Sequence, residues 1–176
     1  MIRKIGLGLL ALFILITIVT FAFYSSFRSE NLAALEAGSQ IAETSAGPIE
    51  YQIVGDTGSV LLFLHGSPGG YDGVSALTEM EGLDGFRILT PSRPGYLRTP
   101  LEVGRTPTAQ AHAYAALLDS LSINSVIVMG ASGGGPSAIA FASLYPNRTI
   151  ALVALEAVSQ PTVSVSYTHL TLPTKS

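Results

Sequence analysis

The 176-residue chain has no cysteine, only three histidines and few charges of either sign. Without cysteine there are no disulfides, no thiolate zinc sites and no cysteine nucleophile, and both oxidising and reducing compartments stay open. Aspartate, glutamate, lysine and arginine make up 12% of the residues, the formal net charge is -3, and no basic run occurs. That balance excludes the electrostatic footprint of a nucleic-acid binder. No residue spacing implies a metal or an organic cofactor. His65, His112 and His169 are the only imidazoles available to accept a proton near neutral pH.

Apolar residues are abundant, at 48% of the chain. That supports one domain with a core of its own once an N-terminal apolar segment is set aside. No charge occurs between Lys4 and Arg28. Gly6 to Tyr24 as a helix is about 28 Å long, close to the thickness of a bilayer core. The segment ends in "TFAFYSS" without an A-x-A pattern, and so reads as an uncleaved anchor rather than a signal peptide. Arg3, Lys4 and the amino terminus outweigh Arg28, which predicts a cytoplasmic N-terminus and a domain on the other side of the membrane. The predicted division is a tip at 1–4, a transmembrane anchor at 5–24, a stalk or irregular helix at 25–48 and a folded domain at 49–161.

Within that domain, short apolar runs alternate with glycine-rich loops and helical patterns. "VLLFL" (Val60 to Leu64), "FRILT" (Phe86 to Thr90), "SVIVM" (Ser125 to Met129) and "IALVAL" (Ile150 to Leu155) read as strands, most of them covered on both faces. The intervals accommodate crossover helices, so the pattern predicts an α/β domain with a mostly parallel sheet. "IEYQIV" (Ile49 to Val54) alternates better and suits an antiparallel strand at or near an edge. Thr106 and Pro107 open a helix whose Tyr114, Leu117, Leu118 and Leu121 form its buried stripe, with His112 and Asp119 opposite. Another helix should start beside Ser132 and run to about Tyr145.

Gly130-Ala131-Ser132-Gly133-Gly134 matches G-x-S-x-G between a strand and a helix. A turn that sharp holds the serine in a strained backbone conformation, and only glycine-sized residues two positions either side avoid collision. The helix start then presents free N–H groups to the serine oxygen, favouring a developing oxyanion. A second loop, "HGSPGG", follows another buried strand, and a third, "PSRPGYLRT", follows the next.

Together these loops resemble those of the α/β-hydrolase superfamily, with H-G-x-P-G at His65, Gly66, Ser67, Pro68 and Gly69, and G-x-S-x-G at Gly130 to Gly134. The resemblance spans about Ile49 to Pro161 and implies the N-terminal part of that fold. It implies Ser132 as nucleophile, the backbone N–H groups of Gly133 and Ser67 as oxyanion donors, and a small-molecule acyl substrate. His65, Gly66, Pro68, Gly130 and Gly134 would support the two loops, with a cis bond at Ser67-Pro68. Arg93 would tie the third loop to neighbouring carbonyls or a carboxylate. A serine at the elbow sets the chain apart from the dehalogenase and epoxide-hydrolase branches, which are similar around H-G-x-P but carry aspartate there. A non-catalytic member of the fold acting as a binding module is the alternative.

Family order places the acid and the histidine after the nucleophile, where only Glu156 and His169 follow. Glu156, at the end of the last strand, is where a minority of such enzymes keep their acid. "VSYTHLTLPT" (Val165 to Thr174) resembles a translated transposon-derived sequencing adapter. The expectation is therefore that residues 165–176 are foreign, that His169 is not the base, and that the triad acid and histidine lie beyond this chain. The last strand would then be an open apolar edge, and the chain as written should be inactive.

Overall fold

The computed structural model describes residues 2–73, 83 and 85–158. Expectations for His169 and for residues 165–176 lie outside them.

Helix α1 (Ile2–Ala37) runs unbroken through the apolar segment and on through most of the expected stalk. No proline interrupts it, and two of its polar side chains bond back within it: Thr17 to the Phe13 carbonyl at 2.9 Å and Asn31 to the Phe27 carbonyl at 2.7 Å. The stretch Gly6–Ala37 has a mean hydropathy of 2.6 over its most apolar window, long and apolar enough to cross a membrane.

The sheet has six strands: β1 (Gln40–Thr44), β2 (Gly47–Val54), β3 (Val60–Leu64), β4 (Arg87–Pro91), β5 (Val126–Ala131) and β6 (Thr149–Leu155). Their spatial order is β1-β2-β4-β3-β5-β6. The first two strands are antiparallel to each other and β2 is antiparallel to β4, whereas β4, β3, β5 and β6 run parallel. Strand β2 falls where an antiparallel strand was expected, one place in from the edge. The edge itself is β1, which corrects the stalk expectation: the sheet begins at Gln40, inside the segment read as a linker. "QIAET" is short and largely exposed, so it lacks the apolar run that marks a strand.

Helix α2 (Pro107–Ser120) is capped by Thr106, whose hydroxyl accepts from the Ala109 N–H at 3.2 Å. Its Tyr114, Leu117 and Leu118 are fully buried, as their spacing requires. Helix α3 (Gly135–Leu144) packs between α2 and strands β5 and β6. The main core lies on this side of the sheet, where Ile49, Leu62, Leu64, Leu89, Val128 and Phe141 meet the buried face of α2. A smaller cluster, Leu61, Phe63 and Ile88, occupies the other face. Strand β3 is buried along its whole length because it lies inside the sheet with both faces covered. Strand β6, at the other edge, exposes Ile150, Leu152, Val153 and Leu155.

Sequence patterning did not reveal what fastens α1 to the sheet. Glu50 is only 1% exposed, although it lies in a strand read for its apolar alternation. Its carboxylate accepts from Ser39 Oγ at 2.7 Å, Ser92 Oγ at 2.8 Å, Arg98 N at 3.1 Å and Arg98 Nε at 2.7 Å. Arg98 also reaches the carbonyls of Glu36 and Ser39, and Gln52 donates to the Gly38 carbonyl. The end of α1, β2 and the loop after β4 thus share one buried charge.

Burial alone would raise the Glu50 carboxyl, but the hydrogen bonds from Ser39, Arg98 and Ser92 outweigh it and hold the group below its ordinary value. A carboxyl lowered in the folded state contributes stability that is present above its unfolded pKa, about 4.3, and lost as pH falls through the folded value. Glu50→Ala, which strands Arg98, should therefore cost about 3 kcal/mol at pH 7. The difference from the parent should shrink in chemical-denaturation curves taken below about pH 4.

Candidate active site

Strand β5 ends at Ala131 and delivers Ser132 into a single 3-10 turn, Ser132–Gly134, from which α3 departs with Pro136 in its first turn. Ser132 has φ +46°, a left-handed conformation uncommon outside glycine, of the kind that costs about 1–3 kcal/mol and gathers at functional sites. Two glycines make the turn possible. A Cβ on Gly130 would lie 2.5 Å from Ala138 Cβ, and one on Gly134 would lie 2.1 Å from the Leu64 carbonyl oxygen. Both are closer than atoms can pack, so the serine is flanked by glycine on each side, as its motif demands. The Ser132 side chain is exposed, and its hydroxyl has no hydrogen-bond partner among the described residues.

The close approach of Gly134 to Leu64 brings the loop after β3 against the elbow. A Cβ on Gly66 would lie 3.1 Å from Ser132 Cβ and 3.6 Å from its Oγ. A Cβ on Gly133 would lie 3.5 Å from Ser67 Oγ and 3.2 Å from Arg93 Nη1. The two residues assigned as oxyanion donors on resemblance therefore face each other beside the serine. The Ser67-Pro68 bond is cis.

His65 is buried beneath this loop at 2% exposure, and both ring nitrogens are engaged. Nε2 accepts from the Arg93 N–H at 2.9 Å, which leaves Nδ1 to donate to the Gly66 carbonyl at 2.7 Å. Burial holds its pKa down, the Gly66 bond opposes that, and the Arg93 guanidinium adds to it, so the ring is neutral. Arg93 in turn donates Nη1 to the His65 carbonyl at 3.2 Å, the carbonyl tie expected of it. His112 is exposed on α2 and its Nδ1 pairs with Tyr145 Oη at 2.6 Å. Neither described histidine is hydrogen-bonded to Ser132.

Glu156 follows β6 with an exposed side chain and φ +46°. The residues just after it pack on the elbow: Val158 N–H donates to the Ser132 carbonyl at 3.0 Å, and a Cβ on Gly135 would meet Ala157 Cβ at 2.4 Å. No group of three or more His, Cys, Asp or Glu side chains able to hold a metal occurs among the described residues.

Tyr96 is the site residue that sequence reasoning missed. Its hydroxyl bonds Ser67 Oγ, its ring stands edge-on to His65 with centroids 5.0 Å apart, and Arg93 Cζ lies 5.6 Å from its centroid. The signal was an aromatic in the loop after β4, which offers no motif until that loop is seen against the other two.

Residues 59–173 match the family model for the alpha/beta hydrolase fold. The chain belongs to this family. The match runs through residues 165–173 and so lends no support to setting that stretch apart. An uncharacterized hydrolase, YcgS, of Bacillus subtilis is 43% identical over 117 residues, 65% of this chain and 39% of that protein. A 2-hydroxy-6-oxononadienedioate/2-hydroxy-6-oxononatrienedioate hydrolase of Burkholderia vietnamiensis is 32% identical over 73% of this chain and 44% of its own length. Among solved structures, an alpha/beta hydrolase fold protein from Nakamurella multipartita superposes with TM-score 0.65 at 43% identity, covering 69% of this chain and 42% of its own. A thermophilic esterase from Thermogutta terrifontis gives TM-score 0.60 at 28% identity, covering 71% and 47%. The chain thus spans less than half the length of these relatives.

Two outcomes test this geometry. Gly134→Ala should destabilise by about 3 kcal/mol, because the obstruction is backbone oxygen and not a side chain that can swing away. His65, buried and neutral, has a folded pKa below its unfolded value of about 6.5. The unfolded state then binds more protons, so stability should fall as pH drops below about 6.5, and His65→Gln should flatten that slope in thermal melts taken across pH 5 to 8.

Proposed function

We propose that the hydrolase activity of this family runs here through Ser132 as a nucleophile attacking an acyl carbonyl, forming an ester to the enzyme that water then cleaves. The observation that carries this reading is the strained, exposed serine at the elbow, with Gly133 and Ser67 converging beside it. Two backbone N–H donors meeting on one developing negative charge contribute several kcal/mol to the transition state, and loss of one costs roughly 10²- to 10³-fold in rate. Such donors need a hydroxyl oxygen able to approach the carbonyl between them, and Ser132 Oγ is unencumbered.

The proton acceptor lies outside the described residues on this reading. His65 cannot serve without abandoning both of its loop contacts, and His112 is held by Tyr145. A histidine, oriented by a carboxylate, in the part of the relatives' length that these 176 residues do not span would complete the relay. The 176 residues alone should accordingly show little turnover. Serine at the elbow favours ester, amide or related acyl substrates over the epoxides of the branch that carries aspartate there.

We further propose that α1 is an uncleaved anchor with Arg3 and Lys4 on the cytoplasmic side, which places the hydrolase domain outside the cytoplasmic membrane.

A fluorophosphonate probe should label the full-length protein in membranes, and Ser132→Ala should abolish labelling and reduce ester turnover by roughly 10⁵-fold. Absence of labelling on well-folded full-length protein would overturn the proposal and favour a non-catalytic binding module of the same fold.

A further inference from the structure

The Arg93 guanidinium carries a charge that its hydrogen bonds do not require. Its tie to the His65 carbonyl uses a single N–H, which a neutral amide would supply as well. Arg98, in the same loop, has the Glu50 carboxylate at 2.7 Å. Arg105 and Arg148 are paired too, with Glu102 and Asp119, each at 2.7 Å. Arg93 has no carboxylate partner among the described residues, and its Nε is buried without a hydrogen bond there. Holding a half-buried cation without a counter-charge is costly.

Its neighbours do not neutralise it. The His65 ring is neutral, and Tyr114 of α2 has its hydroxyl pushed up to about 12, chiefly by burial, with Arg93 pulling the other way. Asp72 acts on the His65 ring but is exposed and makes no ion pair with Arg93. The unanswered charge stands at the elbow. Nη1 lies 3.2 Å from the place of a Gly133 Cβ, and so within about 5 Å of the Gly133 α-carbon. An oxygen accepting from the Gly133 N–H would be at most about 9 Å from Nη1. On the other side, Arg93 Cζ lies 5.6 Å from the ring centroid of Tyr96, whose hydroxyl holds Ser67.

Resting on the nucleophile reading above, we infer that Arg93 supplies the positive field of the oxyanion site, and that its missing counter-charge is the one that develops on the substrate oxygen. As Ser132 Oγ bonds to the acyl carbon, the carbonyl π pair moves onto that oxygen and the serine proton passes to the base of the relay. The oxygen goes from a partial to a nearly full negative charge between the N–H groups of Gly133 and Ser67. Arg93 acts on it through space, across Gly133. Its attraction is stronger in the transition state than in the bound substrate, so it raises kcat and leaves KM alone. At about 9 Å and an effective dielectric of about 20, two unit charges attract strongly enough to change a rate about twentyfold.

Two substitutions in the full-length protein separate charge from bracing. Arg93→Gln keeps an amide donor for the His65 carbonyl and loses the charge, whereas Arg93→Lys keeps the charge and loses the planar fork. With a short-chain p-nitrophenyl ester, Arg93→Gln should lower kcat about twentyfold and move KM by less than about twofold. It should weaken a trifluoromethyl ketone, whose adduct with Ser132 carries the same oxyanion, by the same factor. Arg93→Lys should stay within about threefold of the parent in both measurements. If Arg93 only braces His65, the order reverses, and an Arg93→Gln protein as active as Arg93→Lys would overturn the inference. Should Arg93→Gln not fold in thermal melts, Arg93→Lys decides alone. Its kcat relative to the parent should then fall as pH rises through the lysine pKa, about 10 or lower when half-buried, because arginine stays charged there. A flat ratio would sink the inference. Ser132-dependent turnover by the parent tests the nucleophile separately: an inactive parent refutes that reading, and an active parent with the two variants in the wrong order refutes this one.

Discussion

The site depends on one close approach of backbone to backbone. The Leu64 carbonyl oxygen occupies the place where a side chain on Gly134 would begin. Strands β3 and β5 are parallel neighbours, so the loops that follow them leave the same edge of the sheet, where α/β folds collect their ligands. Adjacency alone would leave those loops side by side without contact. The missing Cβ lets the elbow settle onto the end of β3, and from that contact follow the placing of Gly66 beside Ser132 and of Ser67 beside Gly133. Arg93 then donates two bonds to His65, whose own Nδ1 holds the Gly66 carbonyl, and this bracing keeps the upper loop from relaxing away from the serine.

A second buried polar assembly does for the far side of the sheet what the glycines do for the elbow. Glu50 gathers donors from two separate parts of the chain, the end of α1 and the loop after β4. Ser92 links it to the site, since the same hydroxyl accepts from the Tyr71 N–H at 3.1 Å and Tyr71 directly follows the loop after β3. The next residue, Arg93, donates its N–H to His65. The helix end and the loops around Ser132 are therefore successive members of one hydrogen-bonded series. Disturbance at either end has a short physical route to the other.

How far this was legible in the sequence depended on the kind of constraint involved. The four parallel strands showed themselves because burial on both faces or a long apolar run leaves a mark in composition. The elbow showed itself because the steric demand falls at fixed spacing on Gly130 and Gly134. Strand β1 did not, since an exposed edge strand is held by hydrogen bonds to its neighbour and asks little of its side chains. Glu50 was hidden for the opposite reason: a glutamate in an alternating strand reads as solvent-facing, and only the meeting of Ser39, Ser92 and Arg98 makes its burial tolerable. Tyr96 belongs to the same class, because a contact between two loops distant in sequence carries no local pattern.

The continuity of α1 with the sheet also bears on how the protein is made and handled. Residues 25–39 would ordinarily be treated as a dispensable tether and cut away to obtain a soluble domain. Here that cut removes Ser39 from Glu50 and the Glu36 carbonyl from Arg98, and a start at Ile49 deletes β1 as well. The remaining sheet would present β2 as a new unpaired edge and a carboxylate stripped of part of its shell. Helix α1 and the sheet share this polar seam, and a preparation that keeps the helix preserves the edge of the sheet along with it.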